Sequence, residues 1–253
     1  MVLTQLGIKR IAKDVKYIIN NPINNIYYKH CDENILNGYA LIIGNEDTIY
    51  SNCNYLFEFK FPDNYPFEPP KLTFLTLDNK MRYHPNLYSN GKVCLSILNT
   101  WNGPGWTSCN NIHSILIILQ SILDNNSLIY EPGISIKHFN INKYNILVNY
   151  KNIEFSIIKQ INFIYKILKL ENNNYNDNVL NKCLLLFKDE IINNYKENFE
   201  KIKNNLENLE KDFLLENKNI INNNIIVSTY HLNYILNFKK IKMDLINLYK
   251  NIN

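Results

Sequence analysis

The stretch Tyr83-His-Pro-Asn-Leu-Tyr-Ser-Asn-Gly-Lys-Val-Cys-Leu-Ser-Ile-Leu, running on through Trp101 to Trp106, constrains this chain more than any other. It joins a rigid Pro85-Asn86 step, an Asn90-Gly91 turn signal and one cysteine, Cys94, at the head of a short apolar run. A turn between them can fold the Asn86 amide back over the cysteine. A thiol is a useful nucleophile near neutral pH because part of it is already thiolate, and sulfur attacks acyl carbons readily. An asparagine amide beside it can donate a hydrogen bond to an oxyanion. A lone cysteine is otherwise a small buried hydrophobe, and Cys31, Cys53 and Cys183 are read that way. Cys109, at an expected helix start, is also read as structural.

The order of the residues carries a further implication. His84-Pro85-Asn86, then Asn90 to Leu98, then Trp101 and Gly103-Pro104-Gly105-Trp106 resemble the active-site segment of ubiquitin-conjugating enzymes, the E2 family. Upstream, Phe61-Pro-Asp-Asn-Tyr-Pro-Phe-Glu-Pro-Pro-Lys71 is similar to that family's proline-rich segment, and the likeness covers roughly residues 4 to 170. The resemblance implies a UBC fold of the α+β class: an N-terminal helix, a four-stranded antiparallel meander, an active-site loop, a central helix and C-terminal helices. It also implies that Cys94 takes the modifier's C-terminal acyl group from an E1 activating enzyme as a thioester. A substrate lysine or the cysteine of an E3 ligase then attacks. ATP is used by the E1, so no cofactor is expected on this chain. Asn86 is the expected oxyanion or loop residue and His84 a structural residue of the turn. The gating-loop position matches Asn126, where many members carry an acid, so either lysine transfer is slow without a partner or the cargo is handed preferentially to a cysteine ligase. Arg10 and Lys13 of the first helix, Phe67 of the proline loop and Ser108 are expected partner contacts. Trp106-Thr-Ser-Cys109 departs from the Trp-Ser-Pro-Ala of many members, which puts generic RING-ligase binding in doubt.

Taken in order, Leu6, Ile11, Val15, Ile18 and Ile19 share one side of an expected helix over 3–20, ended by Pro22. Four strands are expected over 26–31, 36–43, 53–61 and 71–76. In the third, Tyr55, Phe57, Phe59 and Phe61 alternate with Leu56, Glu58 and Lys60, predicting one packed face and one largely wet face. Helical spacing then covers 108–123, capped by Thr107 and Ser108, and about 142–170. Beyond 170, where a core of residues 1–170 ends, a helical extension over 171–253 is expected. Asn-rich connectors at 171–178 and 217–224 flank a long helix with a seam of Ile192, Tyr195, Phe199, Ile202, Leu206, Leu209 and Phe213. A last helix runs from about Tyr230 to Tyr249. Such an extension, together with the Gly91-Lys-Val-Cys-Leu-Ser-Ile-Leu98 and Trp101-x-Gly-Pro-x-Trp106 wording, resembles the large Z-class conjugating enzymes.

Composition narrows the rest. A net charge of +4 with no basic stripe gives no reason to expect nucleic acid. Five scattered cysteines predict free thiols in a reducing compartment, neither a disulfide framework nor a metal site. The start of the chain shows no secretory pattern, and the most apolar segment, 112–123, is too short to span a bilayer. A soluble protein of the cytoplasm or nucleus is therefore expected, and a monomer; its expected partners, ubiquitin or a ubiquitin-like protein, an E1 and an E3, are what the resemblance implies. Two alternatives stand beside it: a catalytically silent ubiquitin-binding module of the same fold, against which Cys94 argues, and an oligomerising scaffold built on the 192–213 seam.

Overall fold

The computed structural model describes residues 5–78, 80–170, 178–216 and 223–253. Most of the two expected connectors, and the first residues of the expected N-terminal helix, lie outside the described residues. Helix α1 (Gln5–Asn20) leads into strands β1 (Ile26–His30), β2 (Asn37–Ile43), β3 (Asn54–Lys60) and β4 (Lys71–Phe74). They form an antiparallel meander in the order β1-β2-β3-β4. Its register pairs Ala40 with Tyr28 on one side and Phe57 on the other. Aromatic contacts line one face of the sheet, with Tyr28 edge-on to Phe59 at 5.6 Å and Phe57 against Phe74 at 5.4 Å.

The face of α1 is narrower than the apolar pattern predicts. Gly7, Ile11 and Asp14 are buried, whereas Leu6 and Ile19 are exposed. The helix turns a charged residue inward because Asp14 has partners there: it accepts from the Tyr65 hydroxyl and from Arg10 Nε at 2.8 Å.

The prediction of a wet face on β3 is overturned. The strand is buried from Asn54 to Phe59, Leu56 and Glu58 included. That face is covered by residues 152–159 and by the C-terminal extension, whose first helix, α5 (Val179–Leu186), lies against β3. Lys29 fastens the junction, pairing with Glu190 at 2.7 Å and donating to the Leu186 carbonyl at 2.8 Å. Asn194 donates to the Asn52 carbonyl at 3.0 Å.

The central helix α2 (Ile112–Ile122) starts later than expected. Its cap is Asn111, which accepts from the Ser114 N–H at 2.9 Å, in place of Thr107 and Ser108. Cys109 consequently sits in an exposed turn before the helix. Helix α3 (Ile141–Lys151) widens into a π-helical stretch (Asn152–Lys159) and resumes as α4 (Gln160–Leu170). Wider winding frees carbonyls, and Asn54 Nδ2 donates to that of Ser156 at 2.8 Å.

Helix α6 (Lys188–Glu216) buries the expected seam from Tyr195 to Phe213, with Ile191 replacing Ile192 as its first fully buried member. The seam meets α7 (Phe238–Ile252), where Phe199 stacks on Tyr249 at 3.9 Å and Phe213 meets Phe238 at 5.6 Å. Between the two helices the expected helical start at Tyr230 is corrected: strands β5 (Asn224–Val227) and β6 (Leu232–Ile235) form an antiparallel hairpin. Elements on both sides of residue 170 share one hydrophobic core.

Candidate active site

Cys94 stands at the foot of a tight hairpin. Leu87 bridges Val93, the Tyr88 N–H donates to the Lys92 carbonyl at 2.9 Å, and the Gly91 N–H donates to that of Tyr88 at 3.0 Å. Gly91 has φ of 88°, and a Cβ there would come within 3.0 Å of the Phe74 carbonyl oxygen, so glycine is required on both counts. This turn brings Asn86 and Cys94 opposite each other. The Cys94 N–H donates to the Asn86 carbonyl at 2.9 Å, and Asn86 Nδ2 donates to the Cys94 carbonyl at 2.5 Å. The amide predicted to face an oxyanion thus pins the backbone of the candidate nucleophile, and its second N–H is left for another acceptor.

Thr100, which the sequence reading missed, braces the same point. Its hydroxyl accepts from the Leu95 N–H at 2.9 Å and donates to the Val93 carbonyl at 2.9 Å, bracketing Cys94 on both sides. Cys94 itself is 1 % exposed, so an incoming acyl group requires the surrounding loops to part. Burial disfavours the thiolate at two other cysteines, pushing Cys53 up to about 12 and raising Cys183 as well.

His84 is fully buried between Tyr50 and Tyr130, whose ring centres lie 6.4 and 5.0 Å away. Its Nδ1 accepts from the Asn86 N–H at 2.9 Å, which makes it a turn-holding residue and occupies the nitrogen a base would use. Burial pushes its pKa down to about 3, the nearby Ile122 carbonyl opposing and Arg82 adding to the shift. The unfolded chain takes up a proton below about pH 6.5 that the folded chain refuses, so stability is complete above that pH and falls toward pH 3. At pH 5 the loss from this one group is about 2 kcal/mol, from ~1.36 kcal/mol per pH unit. Urea midpoints at pH 7.5 and pH 5 check this. His84→Asn, which keeps an acceptor but does not titrate, is expected to remove that part of the drop, and parallel losses in both proteins would count against it.

The loop after α2 holds Asn126, the expected gating position. Asp124 accepts from the Asn126 N–H at 2.7 Å and from the Tyr130 hydroxyl at 3.0 Å, while the Asn126 side chain is exposed at the start of a short 3-10 turn (Ser127–Tyr130). Asn125 ties the gate to the loop before β3, donating to the Asp47 carbonyl at 2.7 Å and accepting from the Ile49 N–H at 2.9 Å.

Of the expected partner contacts, Lys13, Phe67 and Ser108 are exposed, Phe67 by 67 %. Arg10 is different: besides Asp14 it donates to the Ser108 carbonyl at 2.6 Å and to that of Asn110, so it is an internal tie between α1 and the 106–110 loop. Tyr65 and Trp106 close the same corner with ring centres 5.9 Å apart, and Trp106 Nε1 donates to the Pro66 carbonyl at 2.7 Å. Phe67 and Ser108 therefore belong to neighbouring loops on one surface.

Comparison with known proteins points to one family. The ubiquitin-conjugating enzyme family matches residues 10–153. "Ubiquitin-conjugating enzyme E2 Z" of Danio rerio is 40% identical over 131 residues, which is 51% of this chain and 40% of the relative. The Xenopus tropicalis protein of the same name is 35% identical over 155 residues, 60% of this chain and 50% of its own. The Homo sapiens protein is 40% identical over 125 residues, 49% of this chain and 35% of its own. This chain thus spans half or less of the length of those relatives. A solved ubiquitin-conjugating enzyme E2 from Plasmodium falciparum aligns over 46% of this chain and 96% of its own, at 33% identity and a TM-score of 0.40. With the family matched over more than half its length and the cysteine turn in place, the chain belongs to the ubiquitin-conjugating enzyme (E2) family, where it resembles the Z class.

Proposed function

We propose that this protein carries ubiquitin or a ubiquitin-like protein as a thioester on Cys94, received from an E1, and passes it to a lysine or to the cysteine of an E3. The observation that carries the reading is the reciprocal bond between Asn86 and Cys94, which holds a thiol and an amide donor in one rigid turn. In the first transfer the thiolate attacks the modifier's terminal carbonyl, a tetrahedral oxyanion forms, and the E1 thiolate leaves. In the second an amine or thiol attacks the new thioester and the Cys94 thiolate leaves. The donor is already activated, so positioning and exclusion of water do most of the remaining chemistry. Incubation with E1, ATP and modifier should give a band on non-reducing gels that dithiothreitol removes. Failure with every modifier and E1 pair tried would count against the reading.

The gate tunes which acceptor reacts. Asn126 is neutral, and the nearby Asp124 carboxylate is engaged by Tyr130 and by the loop backbone. Discharge onto free cysteine is therefore expected to outpace discharge onto free lysine. Asn126→Asp places a solvated carboxylate at the exposed position and is expected to speed lysine discharge roughly tenfold or more, since a positioned base contributes about 10²-fold and upward. Single-round discharge assays check both. Brisk lysine reaction in the unmodified protein, unaltered by the substitution, would remove the gate from the account.

A further inference from the structure

We infer that the C-terminal β-hairpin is a working part of the active site, with Tyr230 as a positioning residue that clamps the Cys94 loop to the gate through Arg82 and Glu131. The inference rests on the thioester reading of Cys94 but is tested separately from it.

Arg82 lies two residues before His84 and belongs to the segment that carries Asn86. Its Nη2 donates to the Pro85 carbonyl at 2.5 Å, and its guanidinium lies 3.8 Å from the ring centre of Tyr88, so it ties the two ends of the active-site turn together. The same guanidinium lies 4.8 Å from the ring centre of Tyr230, which comes from the extension. Glu131 follows the gate turn directly, and its Oε2 accepts from the Tyr230 hydroxyl at 2.6 Å and faces Arg82 at 3.6 Å. One tyrosine therefore touches both segments that must part and close around a nearly buried sulfur: its ring meets the loop's arginine and its hydroxyl meets the gate's glutamate.

The hairpin is built to present that residue. Tyr230 lies in the turn between β5 and β6, just before His231, whose φ of 53° reverses the chain. Val227 and Leu232 are buried on either side. Asn140 Nδ2 donates to the hydroxyl oxygens of Ser228 and Thr229, each at 2.8 Å, and fixes the turn against the start of α3. Tyr144, from α3, donates to the Arg82 carbonyl at 2.9 Å with its ring 5.8 Å from that of Tyr230. The extension meets the core at the one arginine beside the Cys94 turn. Meeting it there couples the tail to the position of Asn86 and to the opening of the gate.

The test uses the full chain. Tyr230→Leu removes both contacts, Tyr230→Phe keeps the ring over Arg82, and Phe199→Leu weakens the extension on its far side, at the stack with Tyr249. Thermal melts of all three set the loss of stability apart from the loss of function. In single-round discharge of ubiquitin onto increasing free cysteine, Tyr230→Leu is expected to lower the maximal rate about tenfold at unchanged half-saturation, a modest misplacement of reacting groups being enough for that. Tyr230→Phe should recover most of the rate, and Phe199→Leu should melt earlier yet discharge normally. A second readout needs no modifier: alkylation of Cys94 by iodoacetamide, followed by peptide mass spectrometry, should quicken several-fold in Tyr230→Leu as the loop loosens, and stay at the starting rate in Phe199→Leu. Unchanged alkylation in Tyr230→Leu, or equal effects of Tyr230→Leu and Phe199→Leu at equal loss of stability, overturns the clamp. If the unmodified protein is never charged, the thioester reading falls, and the alkylation arm still decides the clamp.

Discussion

Cys94→Ser, mixed with E1, ATP and modifier, is expected to accumulate slowly as an adduct that survives dithiothreitol and hardly discharges. Oxygen replaces sulfur in a site where the side chain is 1 % exposed, and the smaller atom fits without moving the turn that Asn86 and Thr100 hold. The product is an ordinary ester, whose alkoxide is a far poorer leaving group than a thiolate, so amines and thiols attack it slowly. Turnover should fall by roughly a thousandfold or more, since loss of a covalent nucleophile costs up to about 10⁶-fold in kcat. Cys94→Ala should form no adduct at all. The measurement is a pair of gels, reducing and non-reducing, with the modified peptide identified by mass. An adduct that persists in Cys94→Ala would move the chemistry elsewhere, and Cys109, the exposed one among the described cysteines, is where it would be sought.

Much of this architecture is legible before any coordinates. The meander follows from β-branched and aromatic runs broken by turn residues, and the Cys94 turn follows from Asn90-Gly91, because only a few residue pairs allow that reversal. What escaped notice was held by tertiary partners. Asp14 lies inward because Tyr65 and Arg10 meet it there, and nothing in a helical pattern announces a buried carboxylate. Leu6 and Ile19 match the apolar stripe yet stay in solvent. The alternation in β3 predicts a wet face, and it fails because two distant segments cover that face: residues 152–159, and α5, which arrives from more than a hundred residues away. The β5-β6 hairpin was hidden for a local reason: its turn reverses at His231 in the left-handed region, without the glycine that usually marks such a place. Tyr230 escaped with it, although its ring and hydroxyl join the loop and the gate.

Asn86→Ala is the substitution that separates holding the nucleophile from catalysing its reaction. The amide has two hydrogens, and one is given to the Cys94 carbonyl, while Oδ1 is buried without a partner. If the remaining N–H also meets the oxyanion, its loss should slow discharge by about 10²-fold or more, the usual cost of removing one such donor. Loss of the bond to the Cys94 carbonyl alone costs about 1–3 kcal/mol of stability through an unsatisfied buried acceptor. It leaves the rate constant close to that of the unmodified protein wherever the thioester stays folded. Asn86→Asp sharpens the contrast, because it keeps the shape of the side chain but turns an acceptor toward a carbonyl and repels a developing oxyanion. We expect both variants to discharge far more slowly than their loss of stability explains, with Asp the slower of the two at neutral pH. Charged protein prepared at low temperature, with discharge timed well below the melting point, tests this directly. Near-normal rates in folded Asn86→Ala would confine the residue to the turn, and the activation of the thioester would then rest on Cys94 and the gate alone.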